Sequence, residues 1–69
     1  MKLSLKAARV NAGYNQGQAA AQIGVSRDTI RNWERGRSFP SAIQIKKIET
    51  LYGIPYDNIL FLPQNTLKA

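Results

Sequence analysis

Neither a cysteine nor a histidine occurs among the 69 residues. Disulfides, thiol nucleophiles, cysteine- or histidine-ligated zinc and an imidazole base are therefore excluded. A chain without cysteine also fits a cytoplasmic setting. Acids are scarce: Asp28, Glu34, Glu49 and Asp57 are the four, and they are spread over the chain with no two closer than six residues, so no carboxylate pair is set up for acid–base work. The serines stand mostly at helix-capping positions, and no nucleophile–base pair or phosphate loop is present. The longest fully apolar run, residues 59–62, is far shorter than the ~20 residues a bilayer span needs. The start, Met-Lys-Leu-Ser-Leu-Lys, turns polar too soon for a signal peptide. The expectation is no enzyme, no cofactor, no metal, no membrane association and no small-molecule ligand.

What is present is positive charge. Ten lysines and arginines against four acids give a net charge of +6 and a pI of about 10.2, a balance that favours a polyanionic partner. Four of the five arginines lie between Arg27 and Arg37. A chain of this length makes one small domain that buries only about 60% of its unfolded surface. The domain is expected over residues 1–62, with a short C-terminal tail over 63–69.

Regular punctuation divides that domain. Gly13, Gly24, Gly36 and Gly53 each follow a helical pattern, where a left-handed C-terminal cap belongs. Asn15 with Gln18, and Ser41 with Gln44, have the spacing of a capping box. Ser26 can cap a further helix, with Val25 and Ile30 placed as a hydrophobic staple. Helices are read over 4–12, 16–23, 27–35 and 42–52, with a short fifth helix near 56–61. No strand pattern competes, so the fold class is all-α. Apolar positions at helical spacing predict a single core from Leu5, Val10, Ala20, Ile23, Ile30, Trp33, Ile45, Ile48, Tyr52, Ile54, Ile59 and Leu60.

The third helix carries the chemistry. At about 100° per residue, Arg27, Asp28, Arg31, Asn32 and Arg35 share one broad face, while Thr29, Ile30 and Trp33 point the other way. The face holds three arginines and one acid, so it is not a balanced salt-bridge lattice. Arg27 can donate two hydrogen bonds to guanine O6 and N7, and Asn32 can pair with adenine N6 and N7. Asp28 has three roles open to it: accepting from cytosine N4, stabilising the helix N-terminus, or orienting Arg31 one turn on. Arg31 and Arg35 run toward a nucleic-acid backbone and suit phosphates.

The run Asn-Gln-…-Ile-Gly-Val-Ser-Arg-…-Thr-Ile-…-Trp-Glu-Arg-Gly-Arg-…-Pro-Ser resembles the Cro/C1-type (XRE-like) helix-turn-helix family of phage and bacterial regulators, and the match extends from about Leu5 to Leu60. The resemblance implies a compact five-helix, lambda-repressor-like domain whose third helix enters the major groove. It implies base reading by Arg27, Asp28 and Asn32. Gln16 would begin helix 2 beside a phosphate, bracing a residue at the start of the recognition helix. The loop Gly36, Arg37, Ser38 and Phe39 would bind phosphate, and Arg9 with Glu34 would form an ion pair tying helix 1 to helix 3. Three positions depart from the pattern: Gly17 inside helix 2, which could allow close approach of a phosphate, Ala19 in place of a larger aliphatic residue, and Pro55 in place of a capping residue. The backbone-contacting set is thus Gln16, Gly17, Arg31, Arg35, Arg37 and Ser38.

One helix-turn-helix reads few bases, so a homodimer on a palindromic double-stranded operator is expected, with half-sites about 10–10.5 bp apart or multiples of that. No second domain for oligomerisation is evident, which directs attention to Ile54, Tyr56, Ile59, Phe61 and Leu62 as interface candidates, and to Ile43 as a weaker one. The expected function is a sequence-specific transcriptional regulator, a small repressor. Two alternatives are an antitoxin or immunity-type autoregulator that also binds a protein, and a protein-interaction module that does not read DNA.

Overall fold

The computed structural model describes residues 2–61. Along the chain run β1 (Leu3–Ser4), α1 (Leu5–Asn11), α2 (Gln16–Ile23), α3 (Arg27–Arg35), α4 (Ala42–Tyr52), a 3-10 turn (Tyr56–Asn58) and β2 (Ile59–Leu60). Each helix starts where a side chain can satisfy an orphan backbone N–H. Ser4, Asn15, Ser26 and Ser41 accept from the amides of Ala7, Gln18, Thr29 and Gln44, and the boxes at Asn15–Gln18 and Ser41–Gln44 are reciprocal. Ser4 and Ala12 are thus caps of α1 rather than its first and last turns.

The turn from α2 to α3 needs a left-handed residue. Gly24 takes φ 92° and ψ 34° and returns its amide to the Ala20 carbonyl. Only a residue without Cβ adopts that conformation freely. Two residues later Ser26 caps α3, so the chain reverses in a few residues and α2 and α3 pack tightly on each other.

The fifth helix expected near 56–61 is instead a single 3-10 turn followed by a two-residue strand. Pro55 fixes the start of the turn in extended backbone, and Glu49 Oε2 accepts the Tyr56 amide at 2.6 Å. β2 pairs in parallel with β1, Leu3 beside Ile59 and Ser4 beside Leu60, so the two ends of the domain are stitched together. The core is otherwise built by four α-helices. Both the tail expected over 63–69 and Leu62 lie outside the described residues.

Leu5, Ala8, Ala19, Ala20, Ile23, Ile30, Trp33, Ile48, Tyr52 and Ile59 form one buried cluster. Ala19, small where the family pattern has a larger aliphatic residue, is fully buried in the same cluster as Trp33. Four predicted core residues are not in it. Val10 is 58% exposed, because it lies about 140° around the helix from Leu5 and Arg9 takes the inward position. Leu60 is 52% exposed, because neighbouring residues of a strand face opposite ways and Ile59 points in. Ile45 and Ile54 are half-buried, and of the two Ile54 packs against the cluster.

Candidate nucleic-acid interface

Two of the nine residues of α3 are deeply buried and anchor the helix. Ile30 is 1% exposed and Trp33 4%; full burial of side chains this large is worth roughly 1.5–3 kcal/mol each. The opposite face is open: Arg27, Asp28, Arg31 and Arg35 are exposed and Asn32 half-exposed. The helix stops at Gly36, also left-handed, and the Asn32 carbonyl accepts the Arg37 amide at 2.8 Å. Asn32 therefore closes the helix with its backbone and keeps its side chain for the outer face.

Between the anchors and the open face sits Glu34. Its carboxylate accepts from Arg9 Nε at 2.6 Å and Arg9 Nη2 at 3.3 Å, and from Gln16 Nε2 at 3.1 Å. Arg9 also donates from Nη1 to the Tyr14 carbonyl at 2.9 Å. The two charged side chains are 7% and 5% exposed. One acid on α3 thus holds the end of α1 and the first residue of α2. The hydrogen bond with Glu34 raises the Arg9 pKa further, against the opposing effect of burial. Tyr52 lies close enough to feel the pair: burial, and then the Glu34 charge, push its phenol up to about 12.

Gln16 was expected to brace the start of the recognition helix; its amide reaches Glu34 near the other end instead. At the start of α3, the Arg27 guanidinium lies over α2, where a Cβ on Gly17 would come within 3.0 Å of Nη2. Asp28 accepts from Arg31 Nη2 at 2.9 Å, an exposed pair one turn apart. Two of the roles open to Asp28 are realised in this geometry: it stands in the first turn of α3 and it pairs with Arg31. Arg37 is exposed and Ser38 half-exposed on the loop after α3. Phe39 leans away from that loop and packs on Phe61, ring centroids 4.9 Å apart.

A polar cavity of about 380 Å³ opens where α1, α2 and α3 meet, lined by Lys6, Gln16, Arg31, Glu34 and Arg35. Lys6 is a cation that sequence reasoning missed; its one signal is a place on α1 one turn before Arg9. Among the described residues no cluster of acids suits a metal ion, and no helix is long and apolar enough to cross a membrane. At the far end of the domain Tyr56 stacks on Phe61 at 5.4 Å, and Tyr56 and Ile43 are exposed. Ile59, an interface candidate by sequence, is 5% exposed; its side chain belongs to the core, and Ile54 packs at the core's edge.

Residues 5–59 match the family model described as Helix-turn-helix. The chain is similar to the HTH-type transcriptional regulator ImmR of Bacillus subtilis (strain 168), 34% identical over 56 residues, which is 81% of this chain and 44% of ImmR. It thus spans less than half the length of that curated relative. No solved structure matches the chain significantly. An inter-helix glycine turn, a doubly anchored α3 with a basic open face, and a sequence match running through all four helices agree: the chain belongs to the Cro/C1-type helix-turn-helix family of DNA-binding regulators.

Proposed function

We propose that this domain represses transcription by binding a palindromic operator as a homodimer, with α3 in the major groove of double-stranded DNA. The observation that carries this reading is the division of α3: Ile30, Trp33 and Glu34 lock it to the scaffold, while Arg27, Asp28, Arg31, Asn32 and Arg35 are left outward. A groove reader needs both, since side chains aim at base edges only from a rigid support. That ImmR is an HTH-type transcriptional regulator supports the DNA-binding part of this reading.

In this reading Arg27 and Asn32 contact base edges, with Asp28 beside them holding Arg31. Gln16, Gly17, Arg31, Arg35, Arg37 and Ser38 lie along the phosphates. Arg31 and Arg35 share a cavity wall with Lys6, which adds α1 to the backbone-contacting surface. Four cations per protomer, eight in the dimer, predict an affinity loss on the order of 10⁴-fold between 50 and 200 mM salt. For the dimer, the aromatic edge formed by exposed Tyr56 and half-buried Phe61 is the contact surface, and a cytoplasmic location follows from the target.

The test is selection of bound sequences from a random duplex pool with the purified domain. A palindromic consensus is expected. Asn32→Ala should relax preference at one position per half-site, and Arg35→Ala should weaken all sequences alike. Recovery of no consensus, or base preferences unaltered by both Arg27→Ala and Asn32→Ala, refutes groove reading by α3. A Phe61→Asp protein that sediments like the parent refutes the proposed dimer surface.

A further inference from the structure

Gly17 is the one glycine of this chain whose backbone does not call for glycine. The other four take positive φ; Gly17 is the second residue of α2, a place where glycine is a poor choice against alanine. What distinguishes the position is a neighbour from the next helix. A Cβ built there would stand 3.0 Å from Arg27 Nη2 and 3.6 Å from Arg27 Nε, with Asn15 Oδ1 at an ordinary 3.5 Å. The guanidinium therefore rests against the bare backbone of α2. Arg27 is exposed and long, with several rotatable bonds, so a Cβ at 17 would push its guanidinium back by a few tenths of an ångström rather than break the fold.

We propose that Gly17 is a specificity-determining positioning residue: by carrying no side chain it seats the Arg27 guanidinium on the first turn of α2, and so fixes the direction from which Arg27 meets DNA. Bidentate donation to guanine requires the planar guanidinium to lie in the plane of the base edge. A seat that sets the plane therefore sets the base preference. Residue 17 never has to touch the base. The inference rests on the reading of Arg27 as a base-contacting residue.

The experiment is a double-mutant cycle on base preference. Gly17→Ala, Arg27→Ala and the double variant are compared by selection from the random duplex pool and by direct titration, with thermal melts of each. A good bidentate contact discriminates by roughly 5- to 150-fold, so Arg27→Ala should erase a preference of that size at one position. Gly17→Ala should melt no lower than the parent and shift the same preference by about fivefold or more. In the Arg27→Ala background it should change nothing. A Gly17→Ala protein with the parent's preference, while Arg27→Ala loses it, overturns the inference and leaves the reading of Arg27 standing. An equal change in both backgrounds assigns the effect to α2 itself and also overturns it. If Arg27→Ala leaves preference intact, the reading of Arg27 fails and takes the inference with it. An unfolded Gly17→Ala protein would show that more than a movable arginine fills the space, and overturns the inference.

Discussion

Replacing Glu34 by alanine tests the idea that the reading helix is held by a buried ion pair. The carboxylate receives three hydrogen bonds, two from Arg9 and one from Gln16, and both charged side chains are less than one-tenth exposed. Removing it leaves the Arg9 guanidinium buried with only the Tyr14 carbonyl as an acceptor. Breaking a buried pair from one side costs about 3–5 kcal/mol, because the remaining charge is uncompensated. A domain of 69 residues has roughly 3–10 kcal/mol in total. The loss is therefore a large share of stability, and at roughly 4–8 °C per kcal/mol for this size it lowers Tm by about 12–40 °C.

Urea denaturation followed by circular dichroism measures it. The exposed Asp28–Arg31 pair is the internal control: its 2.9 Å contact has side chains 78% and 45% exposed, so Arg31→Ala should cost no more than about 0.5 kcal/mol. The pair Arg9→Met with Glu34→Leu removes both charges together and should recover most of the loss. If Glu34→Ala costs under about 1 kcal/mol, the pair behaves as a surface bridge and the holding argument is wrong. A double variant as unstable as Glu34→Ala alone would show that hydrogen bonding to Gln16, not the uncompensated charge, carries the effect.

Three further outcomes are expected. Tyr52 has its phenol raised from 10.0 to about 12; the folded state keeps the proton longer, so its contribution is whole below pH 10 and is lost as pH rises through 12. Alkaline unfolding of Tyr52→Phe should accordingly show a shallower fall over that window, and superimposable curves would remove the assignment. Gly24→Ala meets no atom within 4 Å, so its cost is the left-handed backbone alone, about 1–2 kcal/mol, seen as a Tm lowered by roughly 4–16 °C. Ile30→Ala should lose about 2–5 kcal/mol, whereas Asn32→Ala, two residues on, should stay within about 0.5–1 kcal/mol of the parent by the same denaturation assay.

The four helices, and the caps of α2, α3 and α4, are legible because their signals are local. Ser26 before Arg27, and Gly36 after Arg35, mark the ends of α3 within one turn each. The 3.6-residue period likewise separated Ile30 and Trp33 from the open face. What was not legible depends on partners distant in sequence. Arg9 occupies an inward place on α1 that an apolar count assigns to Val10, and only Glu34, 25 residues away, makes an inward arginine tolerable. Two-residue strands are too short to show alternation, so Ile59 and Leu60 read as one more helical turn until β1 is seen beside them. Gln16 on Glu34, and Arg27 on Gly17, join residues of different helices and leave no periodic trace.

These interlocking contacts bear on how such a helix can change its target. Residues 30, 33 and 34 sit at three- and four-residue spacing and bind α3 to the core, to α1 and to α2, so a shift in its register would drive Arg31 or Asn32 into the space of Trp33. The helix is thus fixed in one register while its outward positions carry little of the fold's stability. Asp28 and Asn32 can vary nearly freely against stability. Arg27 cannot be treated the same way, because its guanidinium lies on Gly17 and the two residues form one unit across the turn. A larger residue at 17 with arginine at 27 would move the guanidinium even though neither helix had moved. With Arg27 as a base reader, as proposed, the residues that set base preference include one on the supporting helix, and exchanging the outer face of α3 alone between relatives should fail to transfer the preference at the Arg27 position.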